Sequence, residues 1–213
     1  MSQRHPSYLC TLKHTVYELT TSRLRLVRWR AQHHAPFAAL NADPEVMRWL
    51  VAPLTRAQSD ALIERFEAHH KREGFGVWAL ELMSTGELLG CVGLSRVSFE
   101  AHFTHPQTHP TFELSWRLKR AAWGFGYATE AAQAVCAFAS QQLELSELVA
   151  FTTPHNLRSR AVMERLGMSC FVRDEAGALV EERFAHPRLP AHHSLSEHVL
   201  YRLSLLRRGE DHN

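Results

Sequence analysis

The stretch "RLKRAAWGFGYATEAA", residues 117–132, stands where one periodicity gives way to another. Before it, "TFELSWRL" (111–118) alternates strictly. Phe112, Leu114, Trp116 and Leu118 fall on one face, and Thr111, Glu113, Ser115 and Arg117 on the other, the period of a β-strand. After it, from about residue 127 to 141, Ala131, Ala134, Val135 and Phe138 recur at helical spacing. Gly124 and Gly126 mark the junction. A strand that turns through glycines into a helix is a seat for an anion. The first amides of the helix lack partners, its dipole favours negative charge, and glycine lets a phosphate approach the backbone. The same pattern also serves as a plain turn, and G-x-G alone does not choose.

Two of the well-known phosphate loops do not fit. No G-x-x-x-x-G-K-[ST] string occurs anywhere in the chain. A dinucleotide fingerprint requires Gly or Ala three residues after the second glycine, and Thr129 stands there. No repeated βαβ pattern precedes the loop, which speaks against a nucleotide-dependent oxidoreductase. Lys119 and Arg120, just upstream, supply positive charge.

Outward from this junction the chain reads as one mixed α/β unit. "RLRLVRW" (23–29) is a half-exposed strand. "AQHHAPFAALNADPEVMRWL" is helical with a break near Asp43-Pro44. Thr55 caps a helix whose residues 57, 61, 62, 63 and 66 form its apolar side. "FGVWALEL" (75–82) and "ELLGCVGLSRVSF" (87–99) are strands joined by a turn at "MSTGE". "ELVAFTT" (147–153) lacks polar alternation, as a strand covered on both faces does. A helix follows, capped by Asn156 and ended by Gly167. "SCFVRD" is a short strand, 174–197 a polar excursion, and "HVLYRLSLL" the last strand. Residues 1–20 read as a loose tail, 21–206 as the domain and 207–213 as a second tail. The expected sheet has about seven strands, mostly antiparallel.

With 213 residues, 45% hydrophobic content and 22% charged residues, the chain suits a single buried core. A net charge of +2 fits a polyanionic small ligand but not a nucleic-acid surface, which requires a basic stripe. No apolar run approaches a membrane span, and the N-terminus lacks the apolar region of a signal peptide. Cys10, Cys91, Cys136 and Cys170 form no C-x-x-C and read as reduced thiols of a cytoplasmic protein. The 15 histidines gather in pairs and in "AHFTHPQTHP". His102, His105 and His109 there lack a neighbouring carboxylate or cysteine, so no metal is expected.

Three separated motifs occur in order: "TSRLRLVRW…NADPEVMRWL", "WGFGYATEA", and "T-x-P-x-N-x-x-S-x-x-V-M-E-R-L-G-M". Together they resemble the Gcn5-related N-acetyltransferase (GNAT) superfamily, in its RimJ/RimL-like branch of ribosomal-protein N-terminal acetyltransferases, over roughly residues 20–204. The resemblance implies a GNAT fold with a splayed central strand pair and acetyl-CoA as cosubstrate. The loop amides at about 122–127, from Trp123, Gly124, Phe125, Gly126 and Tyr127, would cradle the pyrophosphate, with Thr129 close by. The backbone around Trp116, Arg117 and Leu118 would pair with the pantetheine arm, and Asn156 would contact its amide. Where the superfamily carries Gln or Arg three residues before the first glycine this chain has Ala121, which shifts the phosphate contact towards Arg120. The acceptor implied is a small amine or a protein N-terminus, and a homodimer is suggested by resemblance alone.

Acetyl transfer to an amine needs a neutral nucleophile and a proton for the departing thiolate. Glu113, on the polar face of the central strand, is the candidate base; alternatively it pairs with Arg117, its same-face neighbour. Ser159 is the candidate acid near the sulfur, although Asn156 and Ser159 also suit plain helix-cap roles. Tyr127 reads as a packing residue. Asp174, Glu175, Glu181 and Glu182 border the acceptor cleft by resemblance, as do His186 and His193, which also read as exposed loop histidines. No Cys or Ser sits in an activated constellation, so the amine would attack the thioester directly. The alternative is a coenzyme A-binding module of the same fold without catalysis.

Overall fold

The computed structural model describes residues 17–104 and 110–205. Cys10, His105, His109 and the tail residues 1–16 and 207–213 lie outside the described residues. In chain order the elements are β1 (Leu19–Thr20), β2 (Leu24–Val27), α1 (Ala31–Ala42), α2 (Arg56–Glu73), β3 (Val77–Leu82), β4 (Leu88–Arg96) and β5 (Phe112–Leu118). Then follow α3 (Tyr127–Gln141), β6 (Glu147–Thr152), α4 (Leu157–Arg165), β7 (Phe171–Arg173), β8 (Leu179–Glu181), β9 (Arg183–Ala185) and β10 (Glu197–Ser204). Eight strands form one sheet in the order β1-β2-β3-β4-β5-β6-β10-β9, while β7 and β8 make a separate hairpin.

Every adjacent pair in the large sheet is antiparallel except β5 and β6, which run parallel and share a single bridged pair, Glu113 with Val149. Beyond that rung the two strands part. The α3 side of the sheet buries Leu80, Val92, Leu94, Phe112, Leu114 and Leu118 against Ala131, Val135 and Phe138. The other face packs Val77, Ala79, Leu88 and Cys91 under Phe37 and Leu40 of α1 and Ile63 of α2. Both faces of β6 are covered, as its unbroken apolar run requires.

Local signals account for the helix ends. Thr55 Oγ1 accepts from Gln58 N at 3.3 Å while Gln58 Oε1 accepts from Thr55 N at 2.8 Å, a reciprocal capping box. Gly167, at φ 78°, follows α4 in the left-handed conformation that ends a helix without a Cβ penalty. A buried polar contact ties α1 to the sheet: His33 Nε2 meets Glu81 Oε1 at 2.9 Å, and Arg25 approaches the other oxygen at 3.1 Å.

Several expectations need correction. Leu19 and Thr20 are β1, not tail, and Tyr17 is held by the Trp78 Nε1 bond to its carbonyl. The first helix ends at Ala42 with Asp43 as its extended cap, at the expected break, but no second helix starts after Pro44: residues 44–50 form turns. On α2 only Ile63 of the expected apolar positions is fully buried, and Ala134 of α3 is half-buried while Ala132 and Ala139 lie in the core. "SCFVRD" leaves the main sheet to pair with β8, and the polar excursion contains both β8 and β9.

One constraint fixes how closely β3 and β4 approach. A Cβ on Gly93 would stand 2.2 Å from the Gly76 carbonyl oxygen and 2.5 Å from Val77 Cα. Those are backbone atoms that cannot swing aside. Gly93→Ala is therefore expected to cost about 1–3 kcal/mol by overpacking, read as a lower urea midpoint with an unchanged m-value.

Candidate active site

The site is built around β5. Thr111 O accepts from Val97 N at 2.9 Å, and Lys119 N donates to Leu89 O at 2.9 Å, so the odd-numbered residues of this stretch bond to β4. By alternation the amides and carbonyls of Leu114, Trp116 and Leu118 turn towards β6. Since β6 has already diverged, the Trp116 backbone faces open space. The resemblance assigned the backbone of Trp116, Arg117 and Leu118 to the pantetheine arm; Trp116 and Leu118 turn to this edge, whereas the Arg117 backbone is taken up by β4.

At the open end of the gap the chain makes a tight turn at Arg120–Ala122 and enters the glycine loop. Trp123 Nε1 donates to Leu118 O at 2.9 Å, pinning the loop to the strand end. Gly124 and Gly126 have φ of 84° and 80°, a conformation that favours glycine. Gly126 caps α3 with no side-chain hydrogen bond, and the first helical backbone bond runs from Glu130 N to Gly126 O. The amides of Tyr127, Ala128 and Thr129 are therefore left to whatever lies in the loop's concavity. Tyr127 packs: its ring stacks on Phe125 at 5.6 Å and lies under the Arg23 guanidinium at 4.6 Å.

Two residues here escaped the sequence reading. Glu130 accepts from Thr21 Oγ1 (2.5 Å), Ser22 Oγ (3.1 Å), Arg23 N (3.1 Å) and Arg23 Nε (2.7 Å), anchoring the start of α3 to the β1–β2 turn. Arg158, at the start of α4, lays its guanidinium 4.4 Å from the Trp123 ring centroid and so joins α4 to the glycine loop. Arg158 is exposed and Glu130 half-buried, and neither falls in a pattern that flags it. A cleft of about 790 Å³ opens beside the loop between Leu40 of α1 and Trp123, with Lys119, Arg120 and Arg158 in its wall. Lys119 is taken up by Glu87, whereas Arg120 and Arg158 form no ion pair among the described residues.

At the base of α4, Asn156 Oδ1 accepts from Ser159 N at 3.4 Å and its Nδ2 donates to Thr152 Oγ1 at 2.9 Å. Asn156 is thus a helix cap with one amide proton still available. Ser159 is half-buried, and no partner for its hydroxyl exists among the described residues. Trp116 packs against both the α3 core and the cluster of Met163 and Tyr201. It joins the two sides of the gap.

Glu113 occupies the crotch of the gap, at the one rung that β5 and β6 share. It does not pair with Arg117; that guanidinium instead donates from Nη1 to Asn41 Oδ1 at 2.5 Å. Burial pushes the Glu113 carboxyl up to about 7, with the positive charge of Arg188 pulling the other way. Arg188 itself is held by Ser98 O (3.3 Å) and Ser98 Oγ (2.5 Å) and rests over Phe99.

The other carboxylates are engaged elsewhere. Glu182 accepts from Arg202 and meets His102 Nε2 at 2.8 Å, which holds its pKa below the usual range. Glu181 is paired with Arg183 and Arg160 and is likewise lowered. Asp174 Oδ1 accepts from Ala176 N and Ala178 N within the β7–β8 turn. Groups held ionised by arginines are poor proton acceptors near neutral pH. His186 belongs to an aromatic cluster with Phe99 (4.7 Å) and His198 (5.1 Å), and burial lowers its pKa. His193 closes a local turn, accepting from Leu195 N at 3.1 Å. Phe75 and Trp78 are core, whereas Trp49 is half-buried against Arg48. Among the described residues no group of three or more candidate metal ligands gathers, and no helix is long and apolar enough to cross a membrane.

Comparison with known proteins agrees with this architecture. The family model of the acetyltransferase (GNAT) domain matches residues 23–169. The FsC-acetyl coenzyme A-N(2)-transacetylase of Aspergillus fumigatus is 30% identical over 154 residues, which are 71% of this chain and 64% of that protein, so the chain spans less than two thirds of that relative. The crystal structure of an acetyltransferase from Agrobacterium tumefaciens aligns with a TM-score of 0.66 at 25% identity, covering 94% of this chain and 99% of that one. RimL, a ribosomal alpha-N-protein acetyltransferase solved in complex with coenzyme A, shares the fold with a TM-score of 0.62 at 15% identity, covering 88% of this chain and 98% of its own. The matched segment takes in β2, the parting strands, the glycine loop and α4, and the chain belongs to the GNAT family of acetyltransferases.

Proposed function

We propose that the protein transfers the acetyl group of acetyl-CoA to a primary amine by direct attack on the thioester. The observation that carries this reading is one strand, β5, with an anion seat at one end and a carboxyl of raised pKa at the other. In between, its backbone is unpaired towards the gap. Coenzyme A fits that arrangement. Its pyrophosphate suits the amides from Gly124 to Thr129, those of Ala122 and Trp123 being already bonded to Lys119 O and Arg120 O, with Arg120 and Arg158 alongside, and its pantetheine arm suits the open edge at Trp116.

The chemistry follows from the same placement. The neutral amine forms a bond from its nitrogen lone pair to the thioester carbon, and the C–S bond breaks as the tetrahedral intermediate collapses. The proton lost by nitrogen goes to the Glu113 carboxylate, directly or through one water. The departing thiolate takes its proton from the Ser159 hydroxyl, which regains one from solvent while the Glu113 carboxyl releases its own, so that the products are the amide and the free thiol. A carboxyl near 7 is matched to this task at neutral pH, since it is ionised in a useful fraction yet basic enough to accept a proton. The relative named as an acetyl coenzyme A transacetylase and the coenzyme A complex of RimL support the donor. RimL, which acts on a ribosomal protein, supports the RimJ/RimL-like branch as the setting.

Calorimetric titration is expected to show binding of acetyl-CoA and CoA but not NADH; no binding of acetyl-CoA overturns the proposal. Glu113→Gln is expected to lower kcat by about 10²–10⁴-fold with acetyl-CoA affinity kept, and an unchanged rate at limiting amine removes Glu113 as base. Tight coenzyme binding without turnover on any amine would instead favour the non-catalytic module. Replacing Ser159 with Ala should reduce kcat about tenfold or more while leaving KM for acetyl-CoA near its original value; an unaltered kcat argues against its acid role. In wild type, kcat/KM should rise with pH through about 7 as Glu113 ionises. The stability consequence has the opposite sense. The folded pKa of Glu113 is raised, so its ionisation destabilises the fold as pH climbs from about 4.5 to 7. Glu113→Gln should therefore melt higher than wild type at pH 8, the difference fading below about pH 4.5.

A further inference from the structure

Arg117 is the anomaly of the described residues. The other guanidiniums that reach inward are matched by carboxylates: Arg28 by Glu67, Arg160 by Glu181 and Arg202 by Glu182. Arg117 has no carboxylate within ion-pair distance among the described residues. Its one side-chain bond is the 2.5 Å contact from Nη1 to Asn41 Oδ1, and its Nε is buried without any partner. Desolvation disfavours its charged form enough to lower its pKa. Cys91, directly across the ladder, offers no compensating charge, because burial pushes its thiol up to about 11. A partly buried charge with no counter-ion and an unbonded, buried N–H is costly.

The brace around it is built. Asn41 is fully buried, and its Nδ2 donates to Ser59 Oγ at 2.9 Å; Ser59 is itself fully buried. With the amide nitrogen committed to α2, the Asn41 oxygen is turned to Arg117 and fixes one corner of the guanidinium. Nε is closed off without a partner, and the remaining amino protons of the half-buried guanidinium are left for an anionic group to bond.

Position supplies the rest. Arg117, Ser115 and Glu113 are successive residues on one face of β5, and all three are half-buried. The apolar packing of α1 and α2 on that face ends at Cys91, one strand short of this row. Arg117 and Glu113 thus stand at its two ends, about 13 Å apart at Cα, with Ser115 between. The cleft beside the glycine loop has Arg120 and Arg158 in its wall, and Arg117 is not part of it. Its side chain is bonded instead to Asn41 of α1, on the face of the sheet that α1 and α2 cover.

We propose that Arg117, braced by Asn41, is the anion-binding residue of the acceptor subsite, and that the acceptor is an amine bearing a carboxylate near its nitrogen: a free amino acid or a metabolite built like one. This rests on the acetyl-transfer reading above and narrows it. The carboxylate docks on Arg117, and the amine lies over Ser115 towards Glu113. A protein N-terminus, whose α-carboxyl is consumed in a peptide bond, lacks that handle.

The test sets amino acids against the amines left when their carboxylate is removed, with acetyl-CoA saturating. Charge-assisted hydrogen bonds of this kind predict kcat/KM about 10- to 100-fold higher for the amino acids. Arg117→Gln should erase that preference, mainly through KM for the amino acid, with acetyl-CoA affinity unchanged by calorimetry. Arg117→Lys should restore part of it, and serves if the Gln variant does not fold. Equal rates for both series, a preference for peptide N-termini, or acetyl-CoA binding without acetylation of any amino acid overturns the acceptor assignment. Loss of acetyl-CoA affinity in Arg117→Gln assigns the guanidinium to the coenzyme instead. Failure of the wild type to bind acetyl-CoA defeats the underlying function itself, a separate result.

Discussion

Two neighbouring strands in the middle of the sheet share one rung. Everything about the site depends on that limit, because backbone donors and acceptors inside a protein need partners. β5 is satisfied along its whole length by β4, but on its other side the pairing ends at Glu113 and Val149. The groups beyond that point are available to a ligand in a place where a sheet would ordinarily consume them. The glycine loop lies at the mouth of the same gap, so a molecule entering along the strand edge meets unpaired helix amides at one end. At the other it meets a half-buried carboxyl whose pKa is raised.

The polar row of β5 illustrates how tertiary context redistributes local pairs. Glu113 and Arg117 are same-face neighbours with opposite charges, and a solvated strand would couple them. Here α1 offers Asn41 to Arg117, and the loop at 186–188 brings Arg188 near Glu113. The two charges are held apart. Separation keeps Glu113 free of a close cationic partner, and desolvation can then dominate its proton affinity. The carboxylates of 181 and 182 are the reverse case, held ionised by arginines and built into the frame that joins α4, β8 and β10.

Much of this frame was legible in the sequence. The alternation of "TFELSWRL", the paired glycines, the Thr55 and Asn156 caps and Gly167 each act through neighbours a few residues away, and each appears where local chemistry places it. The elements that escaped are those whose stability is borrowed. β1, β8 and β9 are two or three residues long and exist because longer strands offer them edges. The helical restart expected after the break at Asp43-Pro44 is absent because the chain there forms turns. At the site, the loop, the gap and the Glu113 position followed from periodicity and family resemblance. Arg158, Glu130 and the Asn41–Arg117 contact did not, since a polar partner 76 residues away leaves no trace in a single sequence.

The single shared rung also has a mechanical side. The sheet is in effect two plates, β1–β5 and β6 with β9 and β10, and the hydrogen-bonded seam between them is almost absent at the centre. The plates are held chiefly by the apolar surface beneath α3 and by Trp116, which resist compression better than they resist shear. A cosubstrate lying in the seam, bonded to β5 on one side and to α4 on the other, would act as a splint. The stiffness of the whole domain would then vary through the catalytic cycle, greatest while the thioester is in place and least after the thiol departs.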